Sequence, residues 1–67
     1  MKNWCVVKIV FKDGSFSYYK NREIVVSSKD DALIVGPKYA EGLAEGINFA
    51  IQTYEDELVD HAEVEIL

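Results

Sequence analysis

The residues of this chain that could do chemistry are mainly carboxylates, and most of them lie in its second half. Six acidic or amide side chains fall on one flank of a predicted helix: Glu41, Glu45, Asn48, Gln52, Glu55 and Asp56. Such a flank is the solvent side of any amphipathic helix, or a negative surface that matches a basic cleft, including one that normally holds nucleic acid. The sequence leaves both interpretations open.

A second stripe of the same helix has an unusual composition. Gly42, Gly46, Phe49 and Thr53 project from the side opposite the predicted apolar stripe. Glycine inside a helix costs about 1 kcal/mol relative to alanine, so two of them suggest a compensating role. Glycines one turn apart leave a flat surface for another backbone, with Phe49 as an exposed anchor. We expect a subunit or partner contact here, unless the glycines only relieve crowding against a loop.

The first part of the chain carries the opposite charge. Residues 1–29 hold six basic and two acidic side chains, a balance of +4, whereas residues 30–67 hold one basic and ten acidic ones, a balance of −9. Lys8, Lys12 and Tyr19 are expected on one face, and cations beside aromatic rings are how single-stranded nucleic acids are held. The pI near 4.6 argues against that partner, and lysines that protect an edge strand are the simpler interpretation.

No constellation of residues predicts an enzyme. Glu57 and His61 lie one helical turn apart, with Asp60 and Glu63 close by, but one histidine and one cysteine cannot complete a zinc site. Neither a nucleophile elbow nor a glycine-rich phosphate loop is present in the sequence. Cys5 falls on the predicted core face, where a free cysteine behaves as a small hydrophobic residue. We therefore expect no catalytic residue, no metal and no cofactor.

The first element that positions these residues is a predicted β-hairpin. Asp13-Gly14 between two alternating runs is typical of a two-residue type I′ turn. A turn of that length pairs Ile9 with Tyr18 and directs one apolar face to the core: Cys5, Val7, Ile9, Phe11, Phe16 and Tyr18. The opposite face then carries Trp4, Val6, Lys8, Val10, Ser17 and Tyr19. Because its apolar members Trp4, Val6 and Val10 would otherwise be exposed, we expect another subunit or a ligand to cover them.

The remaining elements are less sharply defined until Pro37. Residues 23–28 form a third strand or continue the second. Residues 29–36 contain either a helix start at Ser28 or, as we favour, a polar turn and a short strand at 32–35. Pro37 opens a helix that we expect to run to about Asp60 or His61. Its apolar stripe consists of Ala40, Leu43, Ala44, Ile47, Ala50, Ile51, Tyr54 and Leu58.

Together these elements predict an α+β fold in one domain. Three or four antiparallel strands and one long helix packed on one face follow the order β-β-β(-β)-α-β. The domain divides into a basic, β-rich part (1–36), an acidic helix (37–61) and a closing strand (62–67).

Size and composition suggest how the chain is supported and where it works. A single cysteine cannot form a disulfide within the chain, and domains below roughly 70–80 residues usually rely on disulfides, a metal or a partner subunit, so we expect a homodimer. No signal peptide and no apolar run near ~18 residues is seen, and with the unpaired thiol this indicates a cytoplasmic protein without a membrane partner.

We expect this chain to act as a small non-enzymatic protein-binding module. Acidic α+β chains of this length resemble, in kind only, small bacteriophage and mobile-element proteins, including inhibitors and regulators of host machinery. The expected contact with a basic protein surface uses Glu41, Glu45, Phe49, Gln52, Glu55 and Asp56, and the expected dimer or helix contact uses Gly42, Gly46, Trp4, Val6 and Val10. One alternative is a nucleic-acid-binding or antitoxin-like regulator that uses Lys8, Lys12 and Tyr19. Another is a structural subunit of a larger assembly.

Overall fold

An antiparallel sheet and one helix make up the part of the chain that the structure, a computed structural model, describes. That part is residues 3–67, so Lys2, which was counted in the basic part, lies outside it. The strands are β1 (Cys5–Phe11), β2 (Phe16–Asn21), β3 (Ile24–Val26) and β4 (Val59–Ile66), in the sheet order β3-β2-β1-β4. The helix α1 (Pro37–Tyr54) packs against β4 and β1. The predicted α+β class is confirmed, in the order β-β-β-α-β.

The hairpin between β1 and β2 has a three-residue loop, so the predicted two-residue turn and its register are wrong. Lys8 pairs with Tyr18, and Ile9 pairs with Ser17. The side chain of Asp13 accepts a hydrogen bond from the Ser15 N–H at 2.8 Å. Gly14 has a φ of 91°, the left-handed conformation that closes loops of this length. The β2 side chains from Phe16 to Tyr19 therefore point to the face opposite the predicted one.

The first core cluster lies between the sheet and α1. Its buried members are Cys5, Val7, Ile9, Ala40, Ala44 and Ala62, and the partly buried side chains packed against them include Leu43, Ile47 and Tyr19. The helical period placed this part of the apolar stripe correctly. Tyr19, which was expected on the opposite face, packs here because of the shifted register.

The helix ends seven residues earlier than the predicted limit at His61. Glu55 adopts the left-handed conformation with a φ of 52°, and its N–H donates to the Ile51 carbonyl. The side chain of Asp56 then accepts hydrogen bonds from the N–H groups of Leu58 and Val59, at 2.8 and 2.7 Å. Leu58, expected in the core stripe, is 74% exposed. The closing strand consequently begins at Val59 and not at residue 62.

The chain itself covers part of the back of the sheet, the face away from α1. Residues 24–26 form the third strand, as the first alternative predicted. A 3₁₀ turn follows (Lys29–Asp31), capped by the Ser28 side chain, which accepts from the Asp30 N–H. Residues 32–35 were predicted as a strand, but only Val35 pairs, in a single bridge with Cys5. Ala32 packs with Val6 and Tyr18 in a second cluster, which Val26 also contacts, whereas Val35 packs against the first cluster.

Candidate functional site

The outer face of α1, defined here as Glu41, Gly42, Glu45, Gly46, Phe49 and Gln52, is open to solvent along its length. All six residues are exposed, and the Phe49 ring is 70% exposed. Apart from the neighbouring backbone of the helix itself, a Cβ atom built on Gly42 or Gly46 meets no atom of residues 3–67 within 4 Å. The crowding explanation for the glycines therefore fails within the described part of the chain. This face therefore presents the exposed aromatic ring of Phe49 beside the flat surface at Gly42 and Gly46.

Asn48 does not belong to the exposed acidic flank, although its spacing predicted that. Its side-chain amide donates to the Ala62 carbonyl at 2.9 Å, and its side-chain oxygen accepts from the Ala62 N–H at 2.7 Å. Ala62 lies in the edge strand β4, whose outer backbone groups have no further strand to pair with in the sheet order. Asn48 thus ties α1 to β4 and occupies part of that edge.

Glu55 and Asp56 also leave the flank, because the helix has ended before them. Asp56 acts as the cap of the loop between α1 and β4. The hydrogen bonds from the N–H groups of Val59 and Leu58 lower the pKa of its carboxyl group, since they stabilise the charged form. Asp56 therefore stays anionic at neutral pH while it holds the loop.

The charges at the two ends of α1 add to the helix dipole. No acidic residue lies in the first turn and no basic residue lies in the last turn. Lys38 sits near the positive end, and Glu55, Asp56 and Glu57 follow the negative end. Carboxylates at a helix C-terminus are unfavourable by themselves. Lys12, in the loop between β1 and β2, is close enough to act on the Asp56 carboxylate. The helix end is therefore negative but partly offset by that lysine.

The expected back surface of Trp4, Val6 and Val10 does not exist as one open patch. Val6 is fully buried in the cluster with Tyr18 and Ala32, and Val10 is half-buried. Trp4 is 49% exposed. The cover that the sequence assigned to another subunit or a ligand is supplied at Val6 by the chain itself, so the prediction is wrong there.

The three residues expected on a nucleic-acid face are separated by the observed register. Lys8 lies on the back of the sheet, with its Nζ atom 4.2 Å from the centroid of the Phe16 ring and 3.9 Å from Glu65. Tyr19 packs on the helix side, and Lys12 lies in the exposed hairpin loop. Glu65 also pairs with Lys29 and raises the pKa of that amine. Lys8 and Lys29 thus share one carboxylate on the back of the sheet.

His61 is a β4 residue and not the last turn of a helix. Its Nδ1 atom lies 2.6 Å from Asp60, and its Nε2 atom lies 3.8 Å from Glu63. Within residues 3–67, no group of three or more histidine, cysteine or carboxylate side chains is arranged to hold a metal ion. Over the same range, no helix combines the length and the apolar character required to cross a bilayer.

An apolar groove, which sequence reasoning did not find, separates α1 from the β2–β3 hairpin. Its volume is about 380 Å³. One wall is the last two turns of α1, and the other is the hairpin with its tip at Arg22 and Glu23. Exposed Ile24, Val25 and Tyr54 line it. The apolar pair Ile24-Val25 in the third strand was the feature of the sequence that could have indicated this groove.

Comparison of this chain with protein-family models, with curated proteins and with solved structures gives no match. A functional proposal therefore depends on the surfaces described above.

Proposed function

We propose that this protein is a small non-enzymatic binding module that docks on a basic surface of a partner protein through the outer face of α1. The observation that carries the proposal is Phe49, whose ring is 70% exposed at the middle of that face. Exposed aromatic anchors of this kind concentrate binding energy when a partner pocket buries them.

The surroundings of Phe49 support a protein partner. Gly42 and Gly46 leave open space beside the ring, so a partner backbone can approach closely. Glu41 and Glu45 stand at the border of the same face, where opposite charges on a partner would steer the encounter. An apolar pocket with a basic rim is the matching surface.

The proposed role is that of an inhibitor or regulator that occupies a basic surface needed by another ligand. Its setting would be the cytoplasm, because Cys5 is a buried free thiol and such thiols persist in reducing compartments. Asp56 leaves the proposed contact set, since its hydrogen bonds assign it to the loop.

The test is stoichiometric capture of one partner from a nuclease-treated native lysate. Phe49→Ala should weaken capture by about 2 kcal/mol, roughly thirtyfold, as expected for a buried aromatic anchor. Leu58→Ala is the matched control, because Leu58 is equally exposed but lies off this face. Equal capture by both variants would remove Phe49 from the contact.

The charge contribution is tested with two variants that change the net charge equally. Glu41→Lys with Glu45→Lys should abolish capture, whereas Asp30→Lys with Asp31→Lys, at exposed positions on the 3₁₀ turn, should retain it. If both pairs lose capture to the same degree, only the overall charge matters and the outer face is not the site.

A second copy of the chain is the other candidate occupant of this face. Phe49 and Gly42 are seven residues apart, which is close to two helical turns. In an antiparallel pair of α1 helices, each Phe49 would lie over Gly42 of the other copy, a self-complementary contact with two-fold symmetry. Lys38 of each copy would then approach the negative helix end of the other.

Sedimentation equilibrium over a range of concentrations tests this homodimer. The wild-type chain and Leu58→Ala should dimerise alike, and Gly42→Leu should stay monomeric because its side chain fills the space for Phe49. A chain that remains monomeric up to about 1 mM lacks this contact at any useful affinity.

A further inference from the structure

The groove between α1 and the β2–β3 hairpin is a separate surface from the outer face of α1. It contains side chains on the sheet-facing flank of the helix, including Ile47, Ala50, Ile51 and Tyr54. Ile9 and Val59 contribute from the sheet beneath them. Its lining is therefore mainly aliphatic and aromatic, which is typical of sites that bind apolar side chains.

The groove is open because α1 covers only part of the sheet. A helix with its side chains is about 10 Å wide, and neighbouring strands lie about 4.8 Å apart, so one helix covers about two strands. The helix α1 packs on β4 and β1, and Tyr19 of β2 borders the same cluster. The rest of the β2–β3 half remains uncovered on this face. Ile24 and Val25 are consequently about half exposed, and Tyr54 is 81% exposed. The uncovered half has the width of one more helix.

The charges at the groove differ between its two walls. Arg22 and Glu23 at the hairpin tip balance each other, whereas Asp56 on the other side adds to the negative end of the helix. Within residues 3–67, Arg22 forms no salt bridge, and α1 has no basic residue in its last turn. Lys12, in the loop between β1 and β2, offsets part of the Asp56 charge but does not line the groove. The groove side of the helix end thus still favours a cation.

We propose that this groove binds an amphipathic helical segment of a partner protein that carries apolar anchors and a lysine or arginine beside Asp56. Ile47 and Tyr54 are seven residues apart, so this wall is about 10 Å long, or two helical turns. A bound helix of that length presents apolar side chains at positions i, i+3 or i+4, and i+7. The site extends the proposed function to a second contact and does not depend on the first.

Two synthetic helical peptides of identical leucine spacing are the probes. In one the polar positions are lysine, and in the other they are glutamate. Amide chemical shifts of the isotope-labelled full chain are followed during titration. The lysine peptide should saturate and shift residues around the groove, including Val25, Ile47 and Tyr54, whereas the glutamate peptide should not bind.

Three variants separate the groove from general attraction to an acidic protein. Ala50→Trp fills the groove without a change in charge and should abolish the shifts. Ile24→Ala, at a half-exposed position that the fold tolerates, should weaken binding measurably. Asp56→Asn keeps an oxygen to cap the loop but removes the charge. Its affinity for the lysine peptide should be about two- to fivefold lower than that of the wild type.

Other outcomes would overturn this proposal. Unchanged binding of the lysine peptide to both Ala50→Trp and Ile24→Ala would show attraction by net charge only. Chemical shift changes confined to Phe49 and its neighbours would show that the peptide binds the outer face of α1. That result would contradict the groove proposal but would agree with the proposed function. Shifts of the groove residues that depend on protein concentration alone would show that a second copy, and not a partner helix, occupies the groove.

Discussion

The two glycines on the outer face of α1 give a prediction whose sign follows directly from the structure. Apart from the neighbouring backbone of the helix itself, a methyl group added at Gly42 or Gly46 meets no atom of residues 3–67 within 4 Å. Both positions lie inside the helix, so alanine fits the existing backbone. Alanine is favoured over glycine in a helix interior by about 1 kcal/mol, mostly because it restricts the unfolded chain.

The double variant Gly42→Ala with Gly46→Ala should therefore raise the free energy of unfolding by about 1–2 kcal/mol. For a domain of this size, Tm should rise by about 4–8 °C for each kcal/mol. Urea unfolding followed by circular dichroism gives the midpoint and slope. The experiment belongs at a concentration where sedimentation shows a monomer, because association would add its own stability.

Gly14→Ala is the control with the opposite sign. Gly14 has a φ of 91°, a backbone conformation that is strained for a residue with a Cβ atom. The free energy of unfolding of Gly14→Ala should therefore fall by about 1–2 kcal/mol. If the double helix variant is no more stable than wild type as a monomer, the reasoning about open glycine positions is refuted. If it is more stable but binds its partner or itself less well, the glycines serve the contact.

Three further predictions concern groups whose roles only the structure revealed. Asn48→Ala should lower the free energy of unfolding in urea by about 2 kcal/mol, because it leaves both backbone groups of Ala62 without their partner. Asn48→Asp should not restore the hydrogen bond to the Ala62 carbonyl, because a carboxylate cannot donate. In the same urea experiment, Val6→Ala should lower the free energy of unfolding by about 2 kcal/mol, and Val10→Ala, at a half-buried position, should lower it by less than half as much. Equal losses would mean that the back of the sheet is not covered at Val6. Asp56→Asn tests the pH dependence of stability, because folding lowers the pKa of the Asp56 carboxyl group from its ordinary value of 3.8. The ionised carboxylate therefore stabilises the fold above pH 3.8, and this stabilisation disappears as the pH falls through the lowered pKa. The difference in unfolding free energy between wild type and Asp56→Asn should be constant near neutrality and shrink in acid, and a difference that persists below the lowered pKa would contradict the assignment.

Periodicity predicted the elements because the apolar residues that specify them are buried in the fold. The odd-numbered residues of β1 from Cys5 to Ile9 are buried against α1, and Ala40 and Ala44 lie on the matching helix face. Alternation in a strand and a 3.6-residue period in a helix both report a side that contacts a core. These signals are local, so a single sequence contains them.

The hairpin register could not be predicted from alternation, because β2 has an aromatic residue for either choice. A two-residue loop directs Tyr18 to the helix, and a three-residue loop directs Tyr19 there. The Asp13 side chain, which accepts from the Ser15 N–H, favours the longer loop. A one-residue change in loop length exchanged the faces of Tyr18 and Tyr19, and with them the expected nucleic-acid surface.

The helix end and the role of Asn48 were missed for different reasons. Leu58 fits the helical period by coincidence, whereas the capping pattern at Asp56 was the available signal for a stop. The partner of Asn48 lies fourteen residues away in β4, and its spacing on the helix also fits a solvent-exposed flank. Interactions set by tertiary packing leave no local pattern to read.

The uncovered half of the sheet follows from how this chain uses its few elements. Part of the segment that links β3 to α1 is used on the back of the sheet, where Ala32 packs with Val6 and Tyr18. On the other face α1 is the one helix that residues 3–67 supply, and its packing on β4 includes the two hydrogen bonds of Asn48. A helix held there borders β2 at Tyr19 but leaves β3 uncovered, since it covers about two strands. The apolar side chains of Ile24 and Val25 are therefore left for an element that residues 3–67 do not supply, which is why we assign the groove to a partner and not to a rearrangement of α1.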